Sequence, residues 1–220
     1  ALLEMSAGMA HEVRNPLASI RGAAQELHSS SLPNPDDQML LQVILKESDR
    51  LDKIVGHFLE YASDRPYEMT GVNLSPLLNE VASLLETRPD SNRVKIVRQI
   101  PREIFCRGDV DKLKQLFLNL GLNAFEACLE AGWMVTISAT SGRSLEGDPR
   151  EGVLVEVRDD GPGIPENIQE HLYAPFFTTK PRGTGMGLAM ARKIVQGHGG
   201  QIAIESKKGK GTRVSVWFPT

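Results

Sequence analysis

The sequence predicts an α+β fold, in which an N-terminal helical hairpin is followed by an α/β sandwich. Apolar residues recur at spacings of three and four through residues 1–65, which indicates amphipathic helices. Beyond a break with turn-forming residues at 66–71, strand-like alternation and helical stretches are mixed, which is typical of a sheet covered by helices. We therefore expect a hairpin over 1–65, a linker over 66–71 and a second domain over 72–220.

The composition excludes several classes of function. The 220 residues include 25 Lys and Arg and 28 Asp and Glu, so the net charge of −3 argues against nucleic-acid binding, which needs a basic patch. No apolar run approaches the roughly 18 residues of a membrane span, so we expect no membrane contact by this fragment. Cys106 and Cys128 lack metal-ligand spacing and are interpreted as buried thiols of a reducing, cytoplasmic compartment.

The first 65 residues carry two apolar stripes, joined by a loop at 29–36. The first stripe consists of Leu3, Ala7, Ala10, Val13, Leu17, Ile20 and Ala24, and the second of Leu40, Val43, Ile44, Leu51, Ile54, Val55, Phe58 and Leu59. A single hairpin cannot bury both stripes, whereas pairing with a second copy in a four-helix bundle would. We therefore expect a homodimer.

The second domain is predicted to contain a mixed sheet with helices packed on it. The predicted helices span residues 77–85, the stretch from its cap at Asp109 to Gly132, and about 187–197. The predicted strands span residues 94–100, 135–139, 153–157, 201–206 and 213–218.

Three glycine-bearing elements follow one another in the second domain, at 159–165, 183–188 and 209–212. In the first, Asp159 ends an apolar strand, where its carboxylate can accept a hydrogen bond from an exocyclic amine. The glycines after it let the backbone close around a planar base. The second element opens a helix, whose first N–H groups favour phosphate. Taken alone, each element is a weak signal and is better explained as a turn.

Asn119 and Asn123 lie one above the other on a predicted helix, with Glu126 near the same face. Asparagine is a modest helix former, so two on one face need an explanation. Neutral amide oxygens suit a Mg²⁺ ion whose charge is met mainly by phosphates. A capping or surface pair is a weak alternative, because the helix is otherwise apolar.

Residues 173–182, Tyr-Ala-Pro-Phe-Phe-Thr-Thr-Lys-Pro-Arg, are interpreted as a mobile flap with an apolar anchor. Lys180 and Arg182 are candidates to reach a γ-phosphate. An ordinary loop with solvated charges is the alternative, and for Arg182 the two interpretations are evenly balanced.

His11 lies in the run His-Glu-Val-Arg-Asn-Pro of the first helix. Pro16 removes a backbone hydrogen bond and bends the helix. Asn15 shares a face with His11, whereas Glu12 at i+1 does not share it cleanly. A lone histidine is most often structural, and that interpretation is favoured for His28, His57, His171 and His198, the last of which is expected to help end a helix.

Five motifs in order resemble those of the cytoplasmic core of bacterial sensor histidine kinases, over essentially the whole chain. They are the H box at 11–16, the N box at 119–123, the first glycine box at 159–163, the F box at Phe176 and Phe177, and the second glycine box at 183–187. Residues 178–181, Thr-Thr-Lys-Pro, resemble the nitrogen-regulation-like branch of this family.

The resemblance implies a dimerisation and phosphotransfer hairpin followed by a Bergerat-type ATP-binding domain. It implies that Mg·ATP phosphorylates His11, that the phosphoryl group passes to an aspartate of a response regulator, and that the chain also dephosphorylates that regulator. In this scheme Glu12 accepts or stabilises the proton of the attacking ring, and Asn15 orients a hydrolytic water. The chain begins in mid-pattern, so we expect a longer parent protein, whose anchoring in the inner membrane stays open.

The same resemblance assigns the nucleotide-binding residues, with Asn123 and Asn119 as the metal ligands. The nucleotide-binding set is Asn119, Asn123, Glu126, Asp159, Gly161, Gly163, Ile164, Phe177, Thr178, Thr179, Lys180, Arg182, Gly183, Thr184, Gly185, Met186, Gly187, Leu188 and Thr212. Two other functions stay open: an ATPase of the wider Bergerat superfamily that drives a clamp, and a dimeric scaffold that binds nucleotide without transfer.

Overall fold

The chain divides into two compact units, residues 1–65 and 66–220. The computed structural model describes residues 17–18, 20–22, 24–25, 27–28, 35–63, 65–145, 151–175, 177–180 and 184–220. Within these ranges, no helix combines the length and the apolar character that crossing a bilayer requires.

The first unit is helical throughout its described part, apart from Ser63 and Arg65 at its end. The described residues between 17 and 28 are helical, and helix α1 spans Pro35–Ala62. Leu17, Ala24 and Leu41 are buried, whereas six large apolar side chains are at least 41% exposed. These are Ile20, Leu27, Met39, Val43, Ile44 and Leu51. The second predicted helix is thus confirmed, and one chain leaves much of the apolar surface of this unit in contact with water.

The second unit contains seven strands and four α-helices within its described ranges. The elements are β1 Thr70–Asn73, α2 Leu74–Glu86, β2 Lys95–Gln99, β3 Phe105–Gly108, α3 Val110–Glu130, β4 Met134–Arg143, β5 Glu151–Asp159, α4 Glu166–Gln169, α5 Gly187–Gly197, β6 Gln201–Ser206 and β7 Thr212–Pro219. A short 3₁₀ helix lies between α2 and β2 at Ser91–Arg93.

Five of these strands form one sheet in the order β2-β4-β5-β7-β6. Strand β2 runs parallel to β4, and all other neighbours are antiparallel. Helix α3 packs against β4, β5, α2 and α5, and the core between helices and sheet contains Phe117, Val155 and Phe218. Val153, Val155 and Val157 are buried in alternation, as expected for a strand with one face against helices. The predicted mixed sheet covered by helices is confirmed.

The segment 66–71, which we expected to be a linker, packs onto the second unit. Thr70 and Gly71 begin strand β1, where they pair with Gly108 and Arg107 of β3. The ring of Tyr67 stacks on that of His198 at a centroid distance of 4.9 Å. The two-stranded sheet β1-β3 was not anticipated, because its strands have only four residues each and Thr70-Gly71 has the composition of a turn.

His198 joins the end of α5 to the start of α3. Its backbone N–H bonds the Ile194 carbonyl, which confirms the predicted role in ending a helix. The ring is buried, with Nε2 accepting from the Asp109 N–H at 3.0 Å and Nδ1 lying 2.7 Å from the Ile194 carbonyl oxygen. This arrangement requires the neutral ring with its proton on Nδ1, and burial lowers the pKa of His198 accordingly. Asp109, in turn, caps α3 through its side chain.

Candidate functional site

Asp159, the last residue of β5, has a buried carboxylate of which only one oxygen accepts hydrogen bonds from described residues. Its Oδ1 accepts from the N–H of Gly161 at 2.9 Å and from the N–H of Thr212 at 3.2 Å. No hydrogen bond among the described residues engages Oδ2. Burial raises the pKa of Asp159, and the two N–H groups only partly oppose that effect. The free oxygen is therefore a strong acceptor for a donor that a ligand would bring.

Two glycines hold the loops around Asp159 in close contact. Gly163 has φ +67°, and a Cβ there would collide with the Lys207 carbonyl oxygen. Gly211 has φ +82°, and a Cβ there would collide with the Asp159 carbonyl oxygen. Both positions therefore exclude any side chain, for reasons of conformation as well as of space. The first and third glycine elements of the sequence are thus packed on each other.

The same two loops are also joined by hydrogen bonds. Ser206 Oγ accepts from the Ile164 N–H at 2.8 Å and donates to the Gly211 carbonyl at 3.0 Å. The Gly209 N–H donates to the Pro162 carbonyl at 2.7 Å. Ser206 was not among the predicted site residues, because its role depends on a contact between segments about forty residues apart in sequence.

Asp160 has a structural role that the sequence did not reveal. Its Oδ1 accepts from the N–H groups of Trp133 at 2.8 Å and Met134 at 2.9 Å, and the Cys128 thiol lies 3.6 Å away. Burial opposes ionisation of Asp160, but the hydrogen bonds outweigh it, so the pKa of Asp160 lies below its usual value. Asp160 thus fastens the end of β5 to the start of β4. The signal that could have indicated this is the pair of adjacent aspartates at a strand end.

Asn119, Asn123 and Glu126 are half-buried on α3. No described residue forms a hydrogen bond with the side chain of either asparagine. Gly187, the first residue of α5, lies beside Asn123, since a Cβ on it would be 3.7 Å from Asn123 Nδ2. The structure therefore places the N-terminus of α5 next to the Asn123 amide, which forms no hydrogen bond with a described residue.

The described part of the flap, 173–175 and 177–180, contacts α3 and α5. Lys180 Nζ lies 2.6 Å from Glu126 Oε2, and its charge acts on the Asp159 carboxyl, where it favours the ionised form. The guanidinium of Arg192 lies 4.9 Å from the centroid of the Tyr173 ring. The Phe177 ring lies 5.8 Å from that of His171. Lys180 is therefore positioned near both Glu126 and Asp159.

The structure brings many of the predicted residues together around Asp159, Asn123 and Lys180. Asp159 contacts Gly161 and Thr212. Asn123 lies beside Gly187, and Glu126 pairs with Lys180. The Met186 N–H lies 3.4 Å from Thr184 Oγ1, and Gly185 has φ +68°. Thr178 Oγ1 accepts from the Lys180 N–H at 3.1 Å. Within the described ranges, no side-chain hydrogen bond of this kind is formed by Thr179 or Leu188. The predicted residues outside the described part of the chain are His11, Glu12, Asn15, Phe176, Arg182 and Gly183.

Comparison with protein families defines the class of this fold and site. Residues 108–220 match the family described as "Histidine kinase-, DNA gyrase B-, and HSP90-like ATPase", so the second unit contains an ATP-binding domain of that class. Residues 1–66 match the "His Kinase A (phospho-acceptor) domain". The chain therefore belongs to the sensor histidine kinase family, and it combines the phospho-acceptor and ATP-binding domains that form the catalytic core of these enzymes.

Individual relatives agree with this assignment. Sensor histidine kinase ZraS of Escherichia coli (strain K12) is 35% identical over 222 residues, which cover 100% of this chain and 46% of ZraS. Sensory histidine kinase/phosphatase NtrB of Azospirillum brasilense is 37% identical over 210 residues, covering 92% of this chain and 52% of NtrB. The chain thus spans about half the length of the curated relatives it matches.

Solved structures confirm the predicted fold class. Full-length ShkA in complex with AMPPNP has a TM-score of 0.80 and 25% identity, with 98% of this chain and 45% of that chain covered. Histidine kinase ThkA in complex with the response regulator protein TrrA has a TM-score of 0.69 and 32% identity, with 98% of this chain and 61% of that chain covered.

The two adjacent aspartates are expected to differ in their effects on stability. Asp160→Asn should lower the free energy of unfolding by about 1 kcal/mol, because an amide oxygen accepts the Trp133 and Met134 N–H groups less strongly than a carboxylate does. Asp159→Asn should leave stability unchanged or raise it, because burial disfavours the charge that it removes. Urea unfolding at pH 7 measures both, with tryptophan fluorescence as the signal, since Trp133 and Trp217 both lie in the second unit.

A loss of stability in Asp159→Asn as large as that in Asp160→Asn would contradict this assignment of roles. The comparison is internally matched, because both variants replace the same carboxylate by the same amide at neighbouring positions.

Proposed function

We propose that this chain transfers the γ-phosphoryl group of ATP to His11 and then to an aspartate of a response regulator. The observation that supports the proposal is the Asp159 carboxylate, whose Oδ2 accepts no hydrogen bond from a described residue and which lies beside the packed glycine loops. This carboxylate belongs to the ATP-binding domain, and the first 66 residues of the chain match a phospho-acceptor domain. We propose the domain organisation expected from the sequence, with the phosphotransfer hairpin at 1–65 and the ATP-binding domain at 72–220.

In the proposed complex, the adenine amine donates to Asp159 Oδ2. A buried carboxylate favours an amine over a carbonyl at this point, so the site would select adenine over guanine. The phosphates lie between Asn123 and the N-terminus of α5, where backbone N–H groups favour anions. Lys180 supplies a positive charge nearby.

The asparagines of α3 fit a magnesium ion that arrives with the nucleotide. The described residues contain no group of three or more His, Cys, Asp and Glu side chains that could hold a metal by itself. Asn123 and Asn119 offer neutral amide oxygens that no described residue occupies, which suits an ion whose charge is met mainly by phosphates. Bound Mg²⁺ would supply charge neutralisation for the phosphates.

His11 is the proposed nucleophile. A neutral imidazole is abundant at pH 7, because the unperturbed pKa of histidine is about 6.5. The lone pair of a ring nitrogen forms the bond to the γ-phosphorus while the bond from phosphorus to the β–γ bridging oxygen breaks, and ADP leaves with that oxygen. The N–H proton on the second ring nitrogen then becomes acidic, and Glu12 is proposed to accept or stabilise it. Positioning and charge neutralisation supply the rest.

The proposed partners are a second copy of the chain and a response regulator. The apolar side chains of α1 that remain exposed in one chain support a homodimer. The solved complex of ThkA with its response regulator supports the second partner. A cytoplasmic location is proposed because the buried cysteines Cys106 and Cys128 are both free thiols.

Incubation with γ-labelled ATP and Mg²⁺, followed by mapping of the labelled residue, tests the proposed function. We expect a single acid-labile, base-stable label on His11. His11→Gln should abolish the label while ATP affinity stays within a few fold, because the nucleophile and the nucleotide site belong to different domains. Release of inorganic phosphate without a protein label would favour the clamp ATPase, and ATP binding with neither label nor hydrolysis would favour the scaffold.

A second activity, dephosphorylation of the regulator, is supported by the similarity to NtrB, which is named a kinase/phosphatase. Asn15 is proposed to orient the water and to be dispensable when His11 attacks ATP. Asn15→Ala should therefore keep ATP labelling within a few fold and slow regulator dephosphorylation by at least ~10-fold. Parallel loss of the two rates, measured on one preparation, would instead indicate that Asn15 has only a structural role beside Pro16.

A further inference from the structure

Glu126 and Lys180 form an ion pair between α3 and the flap. The Nζ–Oε2 distance is 2.6 Å, and the side chains of Lys180 and Glu126 are 32% and 41% exposed. Among the described residues, the Lys180 ammonium and the Glu126 carboxylate form a hydrogen bond with each other and with no other group. Glu126 follows Asn123 by one helical turn, so the pair lies on the same stretch of α3 as the proposed metal ligand.

A carboxylate at this position needs an explanation if the site binds a triphosphate. An ionised carboxylate is only an acceptor, so Glu126 cannot donate a hydrogen bond to a phosphate oxygen, and its charge repels the phosphates. Lys180 neutralises that charge while the pair is formed. In the proposed function, the same Lys180 ammonium group also interacts with the phosphates of ATP. It cannot bind Glu126 and the phosphates fully at the same time.

We propose that Glu126 is a positioning residue that holds Lys180 against α3 in the nucleotide-free protein and releases it when the phosphates of ATP bind. This inference rests on the proposed function, which places the phosphates at Asn123 and α5. The exchange is feasible because the pair is weak: both side chains are partly solvated, and such pairs contribute little to stability. A phosphate oxygen offers Lys180 a charge-assisted hydrogen bond of at least the same kind.

Three contacts order the segment from which Lys180 projects. The Phe177 N–H bonds the Ala174 carbonyl, and the Phe177 ring contacts that of His171 at a tilted angle, so both contacts attach the start of segment 177–180. The Thr178 side chain accepts from the Lys180 N–H, which closes a short turn there. Lys180 therefore projects from a segment that is already attached on one side, so little further ordering is needed for it to reach Glu126.

The ion pair can be tested without nucleotide by measuring how fast Lys180 reacts with an amine-acetylating reagent. In the wild-type chain Lys180 should react more slowly than the exposed Lys208, quantified by peptide mass spectrometry. Glu126→Gln should raise the reactivity of Lys180 by roughly two- to five-fold, the range of an exposed ion pair, and leave Lys208 unchanged. Glu130→Gln is the matched control, since it removes the same charge from an exposed position on the same helix.

Unchanged reactivity of Lys180 in Glu126→Gln, or an equal increase in Glu130→Gln, would overturn the proposal. The conservative variant Glu126→Asp should give an intermediate rate, because it keeps the charge on a shorter side chain.

The release step is tested by the equilibrium affinity for ATP in the presence of Mg²⁺. Glu126→Gln should tighten ATP binding by roughly two- to five-fold, and Lys180→Gln should weaken it. In the Lys180→Gln background the gain from Glu126→Gln should be smaller, because no ion pair remains to be broken. If Glu126→Gln raised the ATP affinity of Lys180→Gln by the same factor or more, the effect would come from repulsion between Glu126 and the phosphates alone. That result would overturn the release step.

The two proposals fail in different ways. Absence of ATP binding by the wild-type chain would overturn the proposed function. Normal ATP binding by the wild-type chain, together with unchanged or weakened binding by Glu126→Gln, would overturn only the role assigned to Glu126.

Discussion

The site depends on the pair of hydrogen bonds that Asp159 Oδ1 accepts from Gly161 and Thr212. These two N–H groups come from different loops, one following β5 and the other opening β7. Their convergence on one oxygen brings the first and third glycine elements together and leaves the second oxygen without a described partner. Since burial disfavours the charged form, the carboxylate gains most from a donor brought by a ligand. One side chain thus combines a structural hydrogen bond with the proposed adenine-binding group.

The neighbouring aspartate shows how strand geometry separates two roles. Successive side chains at a strand end point to opposite sides, so Asp159 enters the interior while Asp160 meets the turn before β4. Their pKa values shift in opposite directions for that reason. Without Asp160, the end of β5 would lose its attachment to Trp133 and Met134, and the position of Asp159 would be less defined.

The sequence predicted the elements that have strong periodicity and missed those defined by long-range contacts. Helix α3, with its cap at Asp109, and helix α5 follow from apolar spacing and local capping chemistry. The strands β1 and β3 are short, and the composition of β1 is typical of a turn. Their pairing depends on contacts of the end of β3 with α3 and with His198, which are distant in sequence. The contacts of Asp160 with Trp133 and of Lys180 with Glu126 join residues 27 and 54 positions apart, which no local pattern can reveal.

The proposed hydrogen bond from the amine of adenine to Asp159 is tested most directly by nucleotide affinity measured by calorimetry. ATP and GTP are titrated into the wild-type chain and into Asp159→Asn, with Mg²⁺ present and folding checked by urea unfolding. We expect the wild-type chain to prefer ATP strongly, and Asp159→Asn to lose roughly tenfold or more in ATP affinity, the scale of one hydrogen bond to a charged group. An ATP affinity that is unchanged in folded Asp159→Asn, with the preference over GTP intact, would contradict the account.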